Sequence, residues 1–422
     1  MKGMKFWSVV LCVLGMLVAV ACETGSNTEF PDASYFMKLY GRDGNQIGVD
    51  IEPLNDGGFL LLGSTQQNND SRIFLVNVSA EGSVINETTL GGFSDQARDI
   101  ESTLDGNFVI LSVFQNGVEN LDVKLIRIRP DGTKIDSVIY GSPNNDNART
   151  VTPISDGGFI VTGETQFDEA DFDPDAPAFN IFHYRFDGNL VADPNWDEYY
   201  GERGENDGAT KAFEVGGSYY IFGHSSRPHG GKPSGNTKIH LQYYSVGIGG
   251  DADENITFLG EVNDDTRSVS VINAPTDLGG GFVILGTKTT SSGAVTLHIS
   301  KIREPVVFDR TADELFDESI SIEGRTLEAV AVAPTTVSSR GYLLLGNEVR
   351  STGSRNIFIT KIDQSAIPEW SVSLGSEEED DQGGNVLELS DGRIMVLGTV
   401  EIGDNQRKMV LFKLNSEGRL QE

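Results

Sequence analysis

Three short segments carry an acid and a base at one shared spacing: Asp95-x-x-Arg98, Asp146-x-x-Arg149 and Asp264-x-x-Arg267. A fourth, Gly324-Arg325, keeps only the arginine. Carboxylate and guanidinium groups so placed can pair with one another or offer a polar ligand an acceptor and a donor. If the segments converge on one axis, they form a ring of charge that binds an ion or a polar ligand. If they do not, they are turn caps and ion pairs between neighbouring units, each worth about 0–1 kcal/mol at a surface. Sequence alone leaves both readings open.

A second candidate is Asp171-x-Asp173-x-Asp175, within the acidic stretch 164–178. Alternating carboxylates suit a hard cation such as calcium. An EF-hand is excluded, because Ala176 stands at the turn-glycine position, Phe182 at the closing-glutamate position, and Pro174 restricts the backbone. A looser calcium site and a solvated acidic loop both stay open. Asp251-x-Asp253-x-Asn255 poses the same choice on fewer carboxylates. His224 and His229 share a Gly- and Pro-rich stretch, but zinc needs three or four ligands in fixed geometry, so a surface loop is the expectation there. No nucleophile elbow, phosphate loop or dinucleotide fingerprint stands in a strand-to-helix setting. No catalytic residue is assigned.

The elements that would position these groups are written by an internal repeat. A tight turn, four apolar or small residues and usually a glycine recur with starts at Phe59, Phe108, Phe159, Tyr219, Phe282, Tyr342 and Ile394. Four residues on stand Gly63, Ser112, Gly163, Gly223, Gly286, Gly346 and Gly398. Asp56, Asp105, Asp156 and Asp391 sit in the preceding turns and read as turn formers. Each copy continues with a polar loop, a second apolar strand, often an acid-glycine turn such as Asp131-Gly132, and a third strand ending in glycine. A fourth strand precedes the next turn. Four hairpin-linked strands per period of about 50–60 residues describe a propeller blade. The strand at Phe59 is apolar on both sides of the pleat, as expected where a blade lies between two neighbours.

The chain therefore reads as an all-β, seven-bladed β-propeller of four-stranded antiparallel blades over residues 35–422. The last copy ends without its outer strand, while residues 35–41 form an orphan strand that can supply it and close the ring. Taking the strand after each inter-blade loop as innermost, the Asp-Gly turns lie on one face and the long loops on the other.

The pattern Asp-Gly-Gly-Phe-x-x-x-Gly, polar loop, apolar strand, acid-Gly and a strand ending Tyr-Gly resembles the bacterial secreted beta-propeller repeat lipoproteins. That resemblance covers the propeller region. It implies the fold and leaves activity open.

Residues 1–21 have the form of an export signal: Lys2 and Lys5, an apolar run, then small residues at 19 and 21. Cys22 follows at once, and Leu17 to Cys22 resembles a lipobox, with Ala19 where leucine is usual. The expectation is a diacylglycerol on the Cys22 thiol, a polar tether over residues 23–34, and lipid anchoring in the bacterial envelope, at the outer membrane. Cys12 is the only other cysteine, so the propeller is expected to hold no disulfide. The formal net charge of −31 opposes nucleic-acid binding. Together these features suggest a non-enzymatic binding or scaffold module working through the acidic loop face, with a protein or glycan ligand. A calcium-assisted glycan binder or glycan-active enzyme is the alternative, and docking into a larger envelope complex a third. No cofactor other than calcium is indicated.

Overall fold

A computed structural model of the chain describes residues 28–29, 35–68, 70–117, 120–166, 179–196, 198–200, 206–226, 238–245, 256–259, 265–303, 314–376, 378–403 and 406–421. Among them the regular structure is strand, apart from one short 3-10 turn at Thr276–Leu278. No described helix is long and apolar enough to cross a membrane. Cys22 and the expected signal and tether lie outside the described residues, apart from the two residues of the strand Thr28–Glu29.

The protein is a β-propeller. Six sheets have four strands each, and each of the six is built from strands consecutive in sequence. Blade 1 shows the plan: Asn45–Pro53 innermost, then Phe59–Gln67, Asp70–Val78 and Val84–Leu90. The inner strands of the next five blades are Asp95–Ser102, Asn145–Pro153, Asp207–Val215, Asp265–Asn273 and Thr326–Thr335.

The remaining sheet is composite. Gln382–Glu388, Ile394–Glu401 and Arg407–Leu414 come from the end of the chain, and Phe36–Tyr40 from its beginning. Phe36 pairs with Lys413 and Tyr40 with Met409, in antiparallel register. The expectation of uniform four-stranded blades needs correction here. The two-residue strand Thr28–Glu29 adds outside Phe36–Tyr40 and makes this sheet five-stranded, because the outer edge of that strand is an open row of backbone donors and acceptors.

The apolar strand at Phe59 is sandwiched as its pattern requires. Leu60 and Leu62 pack with Ala97, Ile100 and Phe108 of blade 2. Phe59 and Leu61, on the opposite side of the pleat, pack with Met395, Leu397 and Leu411 of the composite sheet. All four are buried, and each such side chain contributes about 1.5–3 kcal/mol of transfer free energy. The core is thus a set of layers between blades.

The turns before these strands are structural. Gly57 adopts φ 87°, and the Gly58 N–H donates to Asp56 Oδ1 at 2.9 Å. Asp156 accepts from Gly158 at 2.8 Å and Asp391 from Arg393 at 3.0 Å in the same way.

One irregularity repeats in every inner strand. The register with the second strand slips between Gly48 and Asp50, Ala97 and Asp99, Ala148 and Thr150, and Ala209 and Lys211. It slips again between Ser268 and Ser270, Ala329 and Ala331, and Gly383 and Asn385. These are β-bulges, each placing two residues opposite one. They also explain the repeated glycine. A Cβ on Gly63 would stand 2.1 Å from the Ile47 carbonyl oxygen, and one on Gly163 2.4 Å from that of Asn147.

Candidate functional site

The bulges matter because they lie on the axis. Residues at or beside the bulge in all seven inner strands line one channel of about 370 Å³. Two successive residues per strand are presented there. The bulged residues include Val49, Arg98, Arg149, Thr210, Val269 and Val330, and the residues after them include Asp50, Asp99, Thr150, Lys211, Ser270 and Asn385. The frame is regular and the side chains are not.

The post-bulge tier is acidic with one lysine. The Ile51 N–H donates to Asp50 Oδ1 at 2.8 Å and the Ile100 N–H of blade 2 to Asp50 Oδ2 at 3.1 Å. The Val151 N–H of blade 3 donates to Asp99 Oδ2 at 2.8 Å. Asn385 Nδ2 donates to Asp50 from the composite sheet. Each carboxylate therefore ties one blade to the next. Lys211 Nζ donates to Glu101 in the following tier, and Glu52 faces the same space. Burial, with Asp50 and Glu101 close by, pushes the Glu52 carboxyl up to about 9, against the opposing pull of Lys211. Burial also raises Asp99 well above the usual carboxylate range; Glu101 and Asp50 add to this and Lys211 opposes it. Burial works against the Lys211 charge, but Glu101, Asp99 and Asp50 outweigh it and hold the ammonium protonated. The channel widens on this side into a cavity of about 660 Å³ lined by Glu52, Glu101, Lys211 and the Asp-Gly turn of blade 1.

The bulge tier, one residue nearer the inter-blade loops, carries Arg98 and Arg149. Arg98 Nη2 donates to Asn147 Oδ1 at 3.0 Å. Asn147 Nδ2 donates to Glu164 Oε1 at 2.8 Å, and Arg149 Nη2 reaches the same oxygen at 3.1 Å. Burial and the Arg149 charge both lower the pKa of Arg98, with Glu164 opposing. Next to them lies His224, buried and 9% exposed. Its ring is driven down to about 3 by burial and by Arg149 and Arg267, against a hydrogen bond with the Ser268 backbone. A Cβ on Gly208 would come within 2.9 Å of the His224 ring and 3.1 Å of Glu164 Oε2, so glycine keeps those two side chains together.

The acid-x-x-base segments divide under this geometry. Arg98 and Arg149 are brought together at equivalent bulges. Their partners Asp95 and Asp146 do not form an open acidic face, and that expectation is corrected: both are fully buried. Asp95 Oδ2 accepts from Lys124 Nζ at 2.6 Å and from the Gly92 N–H. Asp146 Oδ2 accepts from the Ser142 N–H at 2.6 Å. Asp381 does the same for Ser376, at 2.7 Å. They cap inter-blade loops, and burial makes the unmet N–H the costlier alternative. Arg267 shares the spacing but not the register, since the bulge of its strand falls two residues later, at Val269. Arg325 stands outside the channel and donates to Glu348 at 3.1 Å. Asp264, and the calcium candidates Asp171, Asp173 and Asp175, lie outside the described residues. Among the described residues no group of three or more His, Cys, Asp or Glu side chains is arranged to hold a metal ion.

Sequence reading missed Asp50, Glu52, Asp99, Glu101 and Lys211. A signal for the first tier was present: Asp50, Asp99, Thr150 and Asn385 each stand six residues before the turn aspartate that follows.

No family model and no curated protein matches this chain. Among solved structures it is similar to the Myceliophteria thermophila Cps50 (Swd1) beta-propeller domain, at 10% identity and TM-score 0.49, over 89% of this chain and 99% of that one. A protein of unknown function from Dyadobacter fermentans gives 11% identity and TM-score 0.46, over 76% and 95%. Drosophila Plexin A in complex with Semaphorin 1b gives 12% and 0.45, over 93% and 88%.

Proposed function

We propose that the chain is an exported, lipid-anchored binding or scaffold module of the bacterial envelope, without catalytic activity of its own. Counting the composite sheet as the closing blade gives a ring of seven, as in the secreted propeller lipoproteins that the repeat resembles. The observation that supports binding is the axial channel. Seven equivalent bulges turn side chains toward one space, yet the residues placed there differ from blade to blade. Irregular side chains on a repeated frame are what a specific contact requires, and a stack of identical blades does not.

The partner would meet the channel mouth on the inter-blade loop face, where Arg98 and Arg149 stand. Anchoring would come from a diacylglycerol on Cys22, with the polar residues after it as a spacer. The anchor is tested by fractionating cells that express Cys22→Ser. Wild type is expected in the membrane pellet and the variant in the soluble fraction; a variant that still pellets with membranes contradicts the lipid anchor. Pull-down from detergent-solubilised membranes tests the module itself, and a protein that runs alone counts against a scaffold.

A further inference from the structure

Arg98 and Arg149 are like charges set side by side at the channel wall of a chain whose formal charge is −31. Repulsion of this kind raises the energy of the empty site. Among the described residues the carboxylate bonded beside them is Glu164, which pairs directly with Arg149 and reaches Arg98 only through Asn147. Arg98 makes no ion pair with any described residue; its side-chain contact is the neutral Asn147. Its Nε–H is buried and has no hydrogen-bond partner. Arg267 adds a third guanidinium whose charge is felt at His224. An unmet guanidinium donor and neighbouring positive charge at one place mark a binding position for a negative group.

We propose that the bulge tier between Arg98 and Arg149 binds an oxyanion, either free or as the acidic group of a larger ligand. This deepens the binding-module reading and names the chemistry of its ligand. Guanidinium forks match the geometry of carboxylate, sulfate and phosphate oxygens. The bound group lies on the loop-face side of the channel, because the next tier inward presents Asp50, whose oxygens accept from the Ile51 and Ile100 N–H groups and offer an anion no donor. The carboxylates set its depth, and the arginines its charge.

The test is thermal unfolding and calorimetry of the full-length chain with sodium sulfate, sodium glucuronate or sodium chloride at matched ionic strength, so that general screening is equal in each arm. Sulfate or glucuronate is expected to raise the unfolding temperature beyond chloride, in a saturable manner. A response to sulfate alone assigns a tetrahedral group, and a response to glucuronate a sugar carboxylate. Arg98→Gln and Arg149→Gln are each expected to weaken binding by about tenfold or more. Without added anion, Arg98→Gln is expected to melt no lower than wild type, since it relieves repulsion, which separates lost binding from lost folding. Lys134→Gln, on an outer strand, should keep the full response. No rise above chloride, or a rise unchanged in both arginine variants, overturns the proposal. Because the measurement is made in solution, its failure leaves the Cys22 anchor and the pull-down test standing.

Discussion

Two sets of positions on the same inner strands behave in opposite ways. The loop-capping positions repeat their chemistry: Asp95, Asp146 and Asp381 are all buried and all hold the inter-blade loop through its backbone N–H groups. The channel positions, three to six residues further along, repeat their backbone and vary their chemistry. Arg98 and Arg149 stand where Val49 and Val330 stand in other blades; Asp50 and Asp99 stand where Lys211 and Ser270 do. In a repeat protein, a polar residue that recurs is accounted for by architecture. A polar residue that breaks the recurrence at a shared position needs another account.

The sharpest way to break this comparison is to remove a cap. Asp95→Ala leaves the Lys124 ammonium, whose side chain is 10% exposed, without its carboxylate. Loss of one partner from a buried pair costs about 3–5 kcal/mol. Urea unfolding is expected to show that loss at neutral pH. A cost below about 1 kcal/mol would place Asp95 among ordinary surface acids and undo the structural assignment.

A smaller effect is expected in the acidic tier. Lys211→Met removes the one ammonium facing Glu101, Asp99 and Asp50. Destabilisation of about 2 kcal/mol is expected at pH 8, shrinking toward pH 5 as the Asp99 carboxyl, which burial raises well above its usual range, takes up its proton. An equal loss at both pH values would mean that packing of the lysine stem, not charge, is what the mutation removes.

Much of the fold was legible because blades repeat. The four-residue interval from Phe59 to Gly63, the Asp56 turn and the spare strand before Gly41 each have a direct structural counterpart. The interval is even explained by it, since a Cβ on Gly63 would run into the Ile47 carbonyl oxygen beside the bulge. The site was half legible. Arg98 and Arg149 could be found by spacing, but spacing also selected Arg267, whose loop shifts the register by two residues. Burial reversed the meaning of Asp95 and Asp146, because a carboxylate near a loop reads as exposed until its N–H donors are seen. Asp50 and Asp99 lay hidden inside strands, where a bulge cannot be recognised from residue types.

The most direct test of opposed charge tiers in one channel is the pH dependence of stability in Glu52→Gln against wild type. The Glu52 carboxyl is raised from 4.5 to about 9 in the folded protein, so the folded state binds that proton more tightly than the unfolded chain. Its contribution is complete below pH 4.5 and is lost as pH rises toward 9. The variant is expected to gain on wild type steadily across that window, reaching on the order of 3–5 kcal/mol by pH 8. Parallel stability curves from pH 5 to 9 would show that Glu52 is neither buried nor crowded by Asp50 and Glu101, and would contradict the channel described here.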